Sequence, residues 1–104
     1  MNMKTNAVAM SHETIIYESF RLEYTLLCTD PDDAALCPVY GVACTAHLGE
    51  IPAGTFYQPV ITENLPSARR LFRLLTENAV FPDHMDDVIH DLRERWTIPE
   101  WVVV

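Results

Sequence analysis

The stretch Glu13-Thr14-Ile15-Ile16-Tyr17-Glu18-Ser19-Phe20-Arg21-Leu22-Glu23-Tyr24-Thr25-Leu26-Leu27-Cys28 decides the fold. Apolar side chains stand at Ile16, Phe20, Leu22, Tyr24, Leu26 and Cys28, with Arg21, Glu23 and Thr25 between them. A period of two sends alternate residues to opposite faces of an extended chain, so the stretch predicts one long, half-buried strand. Glu18 interrupts the inward set, and a bulge or bend at Glu18-Ser19 is the expected correction.

Downstream, Thr29-Asp30-Pro31-Asp32-Asp33 has the short acceptors and fixed proline angle of a turn, and Cys37-Pro38 restarts an extended path. A second strand is predicted over Val39 to Leu48, with Tyr40, Val42, Cys44, Ala46 and Leu48 on one face, pairing antiparallel with the first. Gly49, Pro52 and Gly54 mark the next connection. Thr55 to Ile61 reads as a third, shorter strand, and Pro59, which cannot donate to a ladder, suits a sheet edge.

At Leu65 the rhythm changes. Asn64 is placed to cap a helix with Pro66 in its first turn, and Leu65, Ala68, Leu71, Phe72, Leu75 and Ala79 form one apolar stripe. The other side of that helix holds Arg69, Arg70 and Arg73. Asp83 is placed to cap a second helix, on which Met85, Val88, Ile89, Leu92 and Trp96 share a face, with Asp86 and Asp87 near its start and Arg93 and Arg95 near its end. The expected architecture is therefore α+β: a three-stranded antiparallel β-meander followed by two α-helices packed on one face, βββαα. Residues 1–12 read as a flexible N-terminal arm, residues 13–97 as a single domain and residues 98–104 as an apolar C-terminal tail. The tail, Ile98-Pro99-Glu100-Trp101-Val102-Val103-Val104, has high strand propensity. It is expected either to return to its own domain or to lend a strand or the Trp101 ring to another chain, a homodimer being one outcome.

The order Tyr40-Gly41-Val42, then Ile61-Thr62 leading into a helix, then Asp87-Val88-Ile89 with Asp91, resembles a family of short uncharacterised Firmicutes proteins of unknown function, over residues 20 to 93. The resemblance implies an organism type and a small compact fold, and assigns no activity.

Charge narrows the function. The chain of 104 residues carries a formal net charge of −8, yet residues 64–80, with Arg69, Arg70 and Arg73 against Glu77, form a basic island. An acidic chain lacks the positive footprint that direct nucleic-acid or anionic-membrane binding needs. Three cysteines, Cys28, Cys37 and Cys44, are an odd set without close pairing, as expected of thiols in a reducing compartment. No apolar run reaches bilayer length, and the N-terminal apolar stretch is too short for a signal peptide.

Chemistry has few candidates. Asp87, His90, Asp91 and Glu94 share an outer helix face, but without a partner element to supply more ligands a solvated acidic face is the better reading than a metal site. Cys44 and His47 have a zinc-like local spacing, with Cys28 and Cys37 as further thiols, yet strand residues three apart face opposite ways. Cys37 has no base placed beside it to make it a nucleophile. The expectation is a non-enzymatic cytoplasmic protein without cofactor or metal, regulatory or adaptor-like. It would act by contact with an unknown protein partner through Arg69, Arg70, Arg73 and Trp101, since arginine makes forked contacts to carboxylates and phosphates. The alternative is an acidic inhibitor, of the phage or mobile-element anti-defence kind, occupying the nucleic-acid-binding groove of its target.

Overall fold

The structure, a computed structural model, describes residues 7–29 and 38–96, with side chains up to residue 92. Its element order is β1 (Ala7–Tyr17), β2 (Phe20–Thr29), β3 (Val39–Leu48), β4 (Ile51–Thr62), α1 (Leu65–Glu77) and α2 (Pro82–Trp96). The strands form one antiparallel sheet in the order β1-β2-β3-β4, so the meander has four strands where three were expected.

The extra strand comes from the stretch that opened the sequence reading. Glu18 and Ser19 are the loop of a hairpin, with Tyr17 paired to Phe20, rather than a bend in one long strand. Glu18 takes a φ of 57°, the left-handed geometry a two-residue hairpin loop demands. Reversal of the chain also reverses the phase of the alternation. Tyr17, Ile15, Glu13 and Ser11 pair with Phe20, Leu22, Tyr24 and Leu26 and share their face, whereas Ile16 points the other way and is 69% exposed. Residues 7–12, read as arm, belong to β1, with one register irregularity between Ala9 and Ser11.

The β3–β4 loop is likewise tighter than expected. It is Gly49-Glu50, with Gly49 at a φ of 65°, and β4 takes in Pro52 and Gly54 with a register shift opposite Ala46 and His47. Gly41 in β3 is required for another reason: a Cβ there would collide with the carbonyl oxygen of Gln58, where β4 crosses closely.

The helices form as the sequence predicts. The Asn64 side chain accepts from the Ser67 amide at 2.8 Å, and Ala68, Leu71, Phe72 and Leu75 are buried. At the other end the Asn78 side-chain amide donates to the Leu74 carbonyl at 2.8 Å, and Ala79, at a φ of 47°, turns the chain out of the helix. Helix α2 opens at Pro82, which places Asp83 inside its first turn rather than at the cap; Met85 and Ile89 are buried beneath it. Both helices lie on the face of Leu22, Tyr24, Leu26, Val42, Cys44 and Ala46, completing one core with Ile61. Truncating a leucine in such a core to alanine typically costs ~2–5 kcal/mol.

Two contacts lock the helical layer to the sheet. The Tyr24 hydroxyl donates to the Val80 carbonyl in the α1–α2 connection at 2.9 Å, satisfying both groups away from water. Phe81, from the same connection, packs edge-on against Phe20 at 4.8 Å and Tyr17 at 5.9 Å between ring centres, so it clamps the end of the β1–β2 hairpin.

Candidate functional site

Helix α1 packs on β2, β3 and β4 and α2 on β3 and β4. On the inner face of the edge strand β1, Ile15 packs against the core and Tyr17 against Phe81, which leaves Ser11 and Glu13 beside α1. A groove of about 270 Å³ runs there. Ser11, Glu13 and Leu26 form its floor, and Arg69, Phe72, Arg73 and Thr76 its wall. Helical spacing explains the wall, since positions four apart and three apart stack on one face.

Two of the three predicted arginines are thereby brought together. Arg69 and Arg73 are exposed and reach into the groove, whereas Arg70, one residue round the helix, is exposed but does not line it. Among the described residues, the side chains of Arg69, Arg73 and Glu13 make no ion pair and no hydrogen bond. An ion pair does join Arg21 to Glu23 at 3.0 Å, on the opposite face of the sheet. The groove thus presents two guanidinium groups and one carboxylate, with the Ser11 hydroxyl, to whatever enters it, while the Thr76 hydroxyl donates to the Arg73 carbonyl at 3.1 Å. Such a site offers forked hydrogen bonding to carboxylate or phosphate. The sequence hides Glu13 because the phase set by Ile16 sends it outward, and Ser11 because residues 1–12 read as an arm. Trp101 lies outside the described residues, as do Cys37, the Asp30–Asp33 turn and the C-terminal tail.

The other chemical candidates are held apart. Cys44 is buried against the core, and burial pushes its thiol up to about 12 from an ordinary 9.0. His47 sits on the opposite face of β3, its Nδ1 buried with no hydrogen-bond partner among the described residues. Asp87, His90 and Asp91 are exposed on α2, and the Glu94 side chain is outside the described set. Among the described residues no three His, Cys, Asp or Glu side chains converge as metal ligands. No helix among them is long and apolar enough to cross a membrane.

These features define a small α+β domain with an uncovered sheet edge and a charged groove beside it. The chain belongs to the family of unknown function DUF6514, whose model matches residues 3–95. No curated protein and no solved structure matches it.

Proposed function

We propose that the protein acts by protein–protein contact rather than by catalysis, as a regulatory or adaptor-like component, and that the groove between β1 and α1 is its contact site. The observation that carries this reading is the pair Arg69 and Arg73, four residues apart on an exposed helix face and without an ion pair among the described residues. Exposed arginines of a folded acidic chain have carboxylates in plenty to meet; two that stand instead over an open groove are available to a partner's acidic side chains. Arg70 is then peripheral to the site. A bacterial, cytoplasmic setting goes with the resemblance to short Firmicutes proteins and with the burial of the Cys44 thiol.

Affinity capture from cell extract with matched baits tests the reading. A stoichiometric partner, whether another protein or the chain itself, retained by the wild type and by Arg70→Glu but lost by Arg69→Glu/Arg73→Glu, is the expected result. Equal retention by all three baits contradicts it.

A further inference from the structure

The two edges of the sheet differ in a way that bears on what enters the groove. Strand β4 is guarded: Pro52 and Pro59 remove backbone donors, and its pairing with β3 is interrupted by two register shifts. Strand β1 spans 11 residues without a proline, and from Ser11 to Tyr17 its pairing with β2 is regular. Val8 and Ile16 are exposed along it, as Ile51, Tyr57 and Val60 are along β4, so the backbone rather than the apolar surface distinguishes the two edges. An open strand of this kind is a template for another strand. Its guard is a single inward-facing charge, Glu13, and that charge lies in the same groove as Arg69 and Arg73.

We propose that the partner in the groove is a second copy of the chain, joined by antiparallel pairing of the two β1 strands, with the Glu13 carboxylate of each copy meeting Arg69 and Arg73 of the other. The inference rests on the groove as contact site and names its occupant. A patch carrying both signs of charge is complementary to itself under a two-fold axis, which an all-basic or all-acidic patch is not. The axis of an antiparallel strand pair stands perpendicular to the sheet, so both helical layers fall on the same side, and the two α1 helices flank a common trough floored by the paired β1 strands. The added strand lies ~4.8 Å beyond β1, a distance that a long arginine side chain on α1 can bridge. Main-chain hydrogen bonds supply the attraction, and the crossed charges turn the deterrent at Glu13 into a determinant of pairing.

Sedimentation equilibrium on the full chain tests this through a charge exchange. Glu13→Arg makes the patch wholly basic and Arg69→Glu/Arg73→Glu makes it wholly acidic, so each variant confronts its own copy with like charges. The wild type is expected at twice the chain mass, each variant alone at the chain mass with association weakened at least about tenfold. Mixing the two variants brings opposite charges together again and is expected to restore the dimer mass. A wild type that stays monomeric up to millimolar concentration overturns the proposal, as do variants that dimerise like the wild type or a mixture that stays monomeric. A monomeric wild type that still captures a different protein through Arg69 and Arg73 removes the second copy as occupant and leaves the groove reading standing; loss of both removes both. If either variant fails to fold, amide exchange of the wild type decides: protection of β1 amides rising with protein concentration supports the pairing, and protection independent of concentration overturns it.

Discussion

At the scale of single residues, Tyr24 and Cys44 govern how the core responds to pH. They are paired neighbours on β2 and β3, both 1% exposed. Burial holds the Tyr24 phenol well above its ordinary range, with the neighbouring Cys44 adding to the effect, and burial alone raises the Cys44 thiol. In the folded chain both groups therefore keep their protons at a pH where the unfolded chain releases them. Stability from this source is complete below the unfolded values and falls as pH rises from about 9 towards about 12. Denaturant unfolding at about pH 8 and about pH 11 should show this fall, and Cys44→Ala, less stable throughout, should show a shallower one, with Tyr24 still titrating. An unchanged slope in the variant would remove Cys44 from the account. The inward placement of both residues was legible from the period of β2 and β3. The basic set on α1 was legible too, but which of its arginines share a groove depends on the strand opposite, and local spacing carries no information about that.

At the scale of elements, the helices were legible because each carries its own signals: Asn64 with Pro66, a complete apolar stripe and a closing Asn78. The hairpin at Glu18-Ser19 was not, because its loop lacks the Asn, Asp or Gly that normally announces a left-handed turn. Tertiary packing overrides that local preference, as Phe81 grips both Tyr17 and Phe20 across the loop and the core needs Leu22, Tyr24 and Leu26 inward. The loop then bears a strain that another residue would relieve. Glu18→Asn, which tolerates positive φ better, should stabilise the protein by ~0.5–1 kcal/mol, read as a higher denaturant midpoint with an unchanged slope. A lower midpoint would show that Glu18 is not held in the left-handed region. In β4, the Pro52 and Gly54 that read as connection sit in the strand because an edge tolerates a missing donor, and the register shift there absorbs the extra residue.

At the scale of the whole molecule, a twisted sheet with two helices on one face leaves part of an edge strand uncovered, here the Ser11 and Glu13 portion of β1. An α+β meander with two helices was within reach of the sequence; the fourth strand, and with it the groove, required knowing where the chain turns. The acidic composition argues for a surface that repels most anionic partners, and the proposed contact places the attraction at the local pair of arginines beside an exposed backbone edge. The central claim is that two copies of the chain meet at β1 and the facing side of α1. Amide and arginine Nε–H chemical shifts, followed by NMR from about 10 μM to about 1 mM protein, test it most directly because association shifts resonances where surfaces meet. The account predicts concentration-dependent shifts confined to Ser11–Tyr17 and to Arg69 and Arg73, with α2 and β4 still. Shifts that gather instead on α2 or along β4, or spectra that do not change with concentration, would contradict it.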